Sequence, residues 1–254
     1  MQNWEKSARK FIDECSFKND IEVAFLTGSY AKGLSDEFSD VDLFIVLKED
    51  VDYRERGNKL VGGFLIEYFA NPFRQIKKYI EDEAVYARSS DINMILGGIV
   101  IYGNEVKAQE IAAYCKEKLT EAPRKMSEFA VKNALYHLWD SFDELNRAYA
   151  KKAPDFTAQF FGFVKIAYEH YSRYKCFPAP LFVKAYRWLT DVDYFNKFGY
   201  PAYGDKDFAD MITDAFKCNS IDEMHALAKV IYKHVNDNMG GFDINNYVLR
   251  SKAE

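Results

Sequence analysis

Leu26 to Val46 reads LTGSYAKGLSDEFSDVDLFIV, and the reading of this stretch decides how the first half of the chain folds. An apolar run, Val23 to Leu26, leads into Thr27-Gly28-Ser29. A polar stretch with Gly33, Ser35 and Asp36 follows, and the chain turns apolar again around Asp40-Val41-Asp42-Leu43. The first run predicts a strand over 21–27, the Gly-Ser pair a turn into a short helix over 31–34, and the second run a strand over 41–47. Side chains two apart on a strand share a face, so Asp40 and Asp42 project side by side.

Two adjacent carboxylates repel each other unless a cation sits between them. Mg2+ suits such a pair, because it takes hard oxygen ligands and combines one or two carboxylates with substrate phosphates. Gly28 and Ser29 fit the same chemistry: a glycine lets the backbone approach a phosphate, and a hydroxyl with helix-start N–H groups donates to an anion. Ser39, just before the first acid, is a second phosphate donor of the same kind. Glu67 completes the set as a third carboxylate. It lies mid-strand in Phe64-Leu-Ile-Glu-Tyr-Phe69, on one face with Leu65 and Phe69, where an unpaired charge is costly away from a metal. The competing reading of Glu67 is an edge-strand acid paired with an arginine such as Arg74.

Outward from this stretch, periodicity predicts a helix over 3–18, a weak helical segment over 53–60, a strand over 64–70 behind Gly62-Gly63, and a helix from Phe73 to about Arg88. Residues 91–96 are ambiguous between helix and strand. A short strand over 99–102 and a helix over 105–119 complete a small α/β domain. Beyond Pro123 strand signals nearly vanish. Helices are expected over 126–151, 154–175, 181–189 and 207–216, with a last one opened by the capping box Ser220-Ile-Asp-Glu223 and running to about Val235. The fold class is therefore α+β: a small mixed-sheet domain over 1–122, followed by an all-α helical bundle over 123–254.

The 254 residues are 48% hydrophobic and 29% charged, a composition that can bury a sizeable core. The net charge of −5 resides in residues 1–124, whereas residues 125–254 balance. No basic face for phosphate neutralisation is visible, which weighs against nucleic acid as a partner. Four scattered cysteines, Cys15, Cys115, Cys176 and Cys218, form no CxxC pair and read as reduced thiols. The N-terminus lacks an apolar leader and the most apolar window, Met94 to Tyr102, is far too short to span a bilayer, so a cytoplasmic protein without a membrane partner is expected. The four histidines fall in predicted helices and suggest packing roles.

The order hydrophobic, Gly28-Ser29, about ten residues, then Asp40-hydrophobic-Asp42-hydrophobic resembles the signature of the nucleotidyltransferase superfamily, the DNA polymerase beta-like group. The layout with a helical second half is similar to the bacterial aminoglycoside and lincosamide nucleotidyltransferases. The resemblance implies an ATP- and Mg2+-dependent enzyme that moves AMP onto a small-molecule hydroxyl. By it, Asp40, Asp42 and Glu67 are the metal ligands, with Glu67 alternatively the general base. Gly28, Ser29 and Ser39 grip the triphosphate, Lys184 reaches it from the second domain, and the acceptor sits between the domains. A monomer and a homodimer are both compatible with the pattern. Competing readings are adenylylation of a protein or RNA acceptor, and a non-catalytic nucleotide-binding partner protein.

Overall fold

A computed structural model describes residues 3–86 and 88–250; Met1, Gln2, Ala87 and residues 251–254, which the expected domains and the expected helix to Arg88 include, lie outside the described residues. The chain divides into two compact units. The first holds the residues up to Ala84, Ser89–Ala122 and Lys197–Gly199; the second holds Val85–Arg88, Pro123–Asn196 and the residues from Tyr200 on.

The first unit is built on five strands: β1 (Ile21–Leu26), β2 (Val41–Leu47), β3 (Glu55–Val61), β4 (Phe64–Pro72) and β5 (Ile99–Gly103). They lie in the order β3-β4-β2-β1-β5. β2 and β4 run parallel and the other neighbours antiparallel, which makes the sheet mixed. Five helices accompany it: α1 (Asn3–Glu14), α2 (Gly28–Ala31), α3 (Phe73–Val85), α4 (Ser90–Leu96) and α5 (Glu105–Thr120).

Alternation along β2 sorts its side chains onto two faces. Val41, Leu43, Ile45 and Leu47 join Ala8, Phe11 and Ile12 of α1 in one buried cluster. Phe44 and Val46 join Phe73, Ile76 and Ile80 of α3, Ile92 and Ile95 of α4, and Ile111 of α5 in a second. Asp42 shares the face of Phe44 and Val46, at the strand's N-terminal end.

Three elements of this unit differ from the sequence expectation, and one segment left open takes a definite form. Residues 55–61 form a strand, β3, where a weak helical segment was expected. Its polar residues hide the alternation because most of them are exposed. Gly62 and Gly63 both take positive φ (59° and 87°), so a two-residue hairpin pairs Val61 with Phe64 and zips β3 onto β4. β4 continues to Pro72, which lies opposite Leu47, and the next helix starts at Phe73. α2 begins at Gly28 itself, three residues ahead of the expected helix. The ambiguous segment is a helix, α4, capped into the C-terminal Gly97.

The second unit is helical: α6 (Glu128–Ala150), α7 (Phe156–Tyr174), α8 (Ala185–Thr190), α9 (Val192–Asn196), α10 (Lys206–Ala215) and α11 (Ile221–Asn238). Leu135, Leu138 and Leu145 of α6 face Phe160, Phe163 and Tyr171 of α7 within one core. Phe129, expected on the apolar stripe of α6, is exposed in its first turn. The five-residue helix α9 was not anticipated, because two acids and an asparagine in DVDYFN carry no apolar period. The expected capping box is present at α11: Ser220 Oγ accepts from Glu223 N at 3.2 Å and Glu223 Oε2 accepts from Ser220 N at 3.2 Å. The fold as a whole is α+β, a mixed-sheet unit followed in the chain by helices.

Candidate active site

β2 and β4 are parallel neighbours, and their register sets Asp42 opposite Glu67. Asp40 lies just before β2 and stays half-exposed. These placements gather Asp40, Asp42 and Glu67 so that one carboxylate oxygen from each lies within 4.8 Å of the others. Among the described residues Asp40 makes no hydrogen bond or ion pair. Three carboxylates at this spacing fit a divalent cation with oxygen preference, such as Mg2+.

Gly28 closes one side of the group. Its φ is +64°, and a Cβ built there would overlap the Asp42 carboxylate. Glycine is required on both counts. α2 is anchored through Tyr30, whose ring packs 5.4 Å from Trp4 and 6.3 Å from Phe64. Thr27 N donates to Asp42 O at 2.9 Å, tying the Gly-Ser turn to the strand that carries the acid. Ser29 is half-exposed on the first turn of α2. The Ser39 hydroxyl is already engaged: it donates to Asp36 Oδ1 and accepts from Asp36 N, both at 2.9 Å.

Lys32 was not singled out by the sequence reading. It follows α2 directly, its ammonium rests against Gly97, and burial lowers its pKa. Among the described residues its ammonium has no hydrogen-bond or ion-pair partner, so a partly desolvated cation stands three residues from Ser29. A lone lysine in AKG gives no periodic signal; only its position behind the Gly-Ser turn hints at a role.

Residues 8–126 match the family model described as the nucleotidyltransferase domain. The match assigns nucleotide transfer, in general terms, to this part of the chain, and on that ground the protein is a transferase enzyme. The chain is also similar in structure to a nucleotidyltransferase-like protein from Exiguobacterium sibiricum, with 10% identity, coverage of 91% of this chain and 74% of that one, and a TM-score of 0.46. No curated protein matches.

Within the matched residues, Glu67 pairs with an arginine, but not the one considered for it. Arg56 Nη2 lies 3.3 Å from Glu67 Oε1, while Arg74 pairs with Glu49 and donates to the Glu49 and Val51 carbonyls. The Arg56 guanidinium also stacks 4.4 Å over the Phe69 ring. Beside this pair a cleft of ≈ 440 Å3 opens, lined by Arg54, Glu55, Arg56, Phe69, Asn71 and Tyr79. Sequence reasoning missed it, since it depends on β3 being a strand.

Lys184 belongs to the other unit. It ends the 3-10 turn Phe182–Lys184 and is exposed. Tyr168 and Tyr171 are buried there, as packing residues. Two of the histidines are neighbours after all: the His137 and His170 rings lie 5.8 Å apart, and burial, then His137, lowers the His170 pKa to about 4. His234 Nε2 donates to Asp205 Oδ2 at 3.0 Å, beside the Tyr171 hydroxyl that donates to the same oxygen at 2.6 Å. Asp205 also caps α10 through Phe208 N, which makes this trio a structural knot. No helix among the described residues is long and apolar enough to cross a membrane.

Proposed function

We propose that the protein transfers AMP from ATP to a hydroxyl group of a small molecule, in an Mg2+-dependent reaction catalysed by residues 1–122. The observation that carries this is the convergence of three carboxylates within 4.8 Å of one another beside the Gly28-Ser29 turn. Asp40, Asp42 and Glu67 would hold the metal. Bound there, Mg2+ supplies charge neutralisation to the triphosphate and polarises the α-phosphoryl group.

The protein's own groups do the rest. The backbone N–H groups at the start of α2, the Ser29 hydroxyl and the Lys32 ammonium bind the β and γ phosphates. Ser39 acts through Asp36, shaping the turn that presents Asp40. The acceptor hydroxyl attacks the α-phosphorus; the new O–P bond forms as the bond to pyrophosphate breaks, and Glu67 takes the hydroxyl proton. A covalent enzyme intermediate is not required, because neither a cysteine nor a histidine belongs to the carboxylate group. Residues 123–254 contribute to the choice of acceptor, and the protein acts in the cytoplasm as a monomer or homodimer.

The test is pyrophosphate release from ATP with Mg2+, across aminoglycosides, lincosamides and other polyols. The sequence resemblance puts the two antibiotic classes first. Release with one compound, lost in Asp42→Ala, establishes the reaction and its acceptor. ATP binding without release across the panel moves the acceptor to a protein side chain. Absence of Mg2+-dependent ATP binding overturns the proposal.

A further inference from the structure

We propose that the cleft beside Glu67 receives the acceptor and holds it by an anionic group, a carboxylate or a phosphate, placed against Arg54 and Arg56. This rests on the nucleotidyl-transfer reading above and names the acceptor's chemical class.

Direction comes first. Across the sheet, the Gly28-Ser29 turn follows β1, Asp42 lies on β2, Glu67 on β4, and Arg56 on the edge strand β3. An in-line displacement needs the attacking and leaving oxygens on opposite sides of phosphorus. With pyrophosphate held at the β1 end, the attacking hydroxyl arrives from the β4–β3 side. Register puts the cleft there: Arg56 pairs with Phe69, and Phe69 with Phe44, one pleat from the Asp42–Glu67 pair and on the same face.

Lining chemistry gives the class. Arg56 is 70% exposed at its side chain and uses a single N–H on Glu67, so most of its donors face solvent over the cleft. Arg54 donates to the Tyr79 hydroxyl, which orients its guanidinium along the same wall. The carboxylate in the lining, Glu55, is turned to Tyr68, whose hydroxyl donates to it at 2.7 Å. The Asn71 side chain, on a residue only 8% exposed, lines the cleft without a hydrogen-bond partner among the described residues. Its amide is therefore open to a polar group placed in the cleft. Phe69 and Tyr79 supply flat walls for the acceptor's body, and ≈ 440 Å3 suits a molecule of monosaccharide size. A polycation would meet two arginines there.

The experiment titrates 15N-labelled full-length protein, without Mg2+ or ATP, with ribose 5-phosphate and with glucuronate. Ribose and kanamycin serve as neutral and cationic comparators. Both anions are expected to shift the amides of Arg54, Arg56, Phe69 and Asn71, and the tighter of the two identifies the preferred group. Arg54→Gln and Arg56→Gln should each weaken that binding about tenfold or more, with the amide spectrum elsewhere unchanged. Equal binding by the variants, shifts centred on Lys32 instead, comparable shifts with ribose or kanamycin, or no shift with either anion would each overturn the proposal. The readout needs neither metal nor turnover. Failure of the nucleotidyl-transfer reading, seen as Mg2+–ATP that does not bind, is therefore told apart from failure of the cleft.

Discussion

The Asp42 carboxylate rests against the α-carbon of Gly28, so the residue that starts α2 and the acid that follows it by fourteen positions share one small space. Gly28→Ala adds a methyl group where Oδ2 lies and forces a side chain into positive φ. We expect a loss of about 1–3 kcal/mol in unfolding free energy, read from the denaturant midpoint. Turnover should fall further than stability, because Asp42 is displaced; unchanged metal affinity in this variant would refute the coupling.

Asp40 has the opposite profile. It is half-exposed and without a protein partner, so Asp40→Ala removes like-charge repulsion and little else from the fold. Thermal stability should stay level or rise, while Mg2+-dependent turnover drops at least about a thousandfold. Retained turnover would remove Asp40 from the site.

Lys32 separates binding from stability in a similar way. Its ammonium is partly desolvated and unpaired, so Lys32→Met should leave the melting temperature unchanged or raise it. ATP affinity, followed with a fluorescent analogue, should weaken by roughly 10- to 100-fold. Equal affinity would place the triphosphate elsewhere.

Asp91 gives the protein a pH signature. Burial first, and then Glu83, raise its pKa from 3.8 to about 7. Below pH 3.8 folded and unfolded chains both hold the proton. Between 3.8 and about 7 only the folded chain keeps it, so stability declines as pH rises through that window and levels off above it. Asp91 retains some solvent contact, which trims the full effect to about 2–4 kcal/mol. Asp91→Asn should therefore stabilise at pH 8 and change little at pH 4, as measured by urea unfolding at both.

At α11 the reciprocal bonds of Ser220 and Glu223 satisfy helix-start N–H groups. Ser220→Ala should cost about 1 kcal/mol, detected as a shift in unfolding midpoint; Ser220→Asp should recover most of it.

Much of this was legible in the residues. β2 reproduces the expected span because its alternation is unbroken, with buried Val41, Leu43 and Ile45 on one face and Phe44 on the other. The capping box at Ser220 is local chemistry and reads directly. Glu67 could be singled out because a charge in the middle of FLIEYF has to be accounted for. What escaped was set by tertiary context. β3 owes its conformation to the Gly62-Gly63 hairpin and to β4, while ERGNKLV alone shows no alternating burial. Arg56, rather than Arg74, meets Glu67 because strand register, not sequence distance, sets Arg56 opposite Phe69, diagonally across from Glu67. Lys32 became visible once its surroundings showed a cation without a counter-charge.

β3 is bonded to a neighbour on one side only, and it bears Arg54 and Arg56 at or beside its start. The three carboxylates stand instead on or next to strands paired on both sides, β2 and β4. Residues on the margin strand can be exchanged without moving the two strands that position the carboxylates. The layout thus uncouples what the enzyme does from what it does it to: a lineage could drift to new acceptors through β3 while the phosphoryl chemistry stayed fixed.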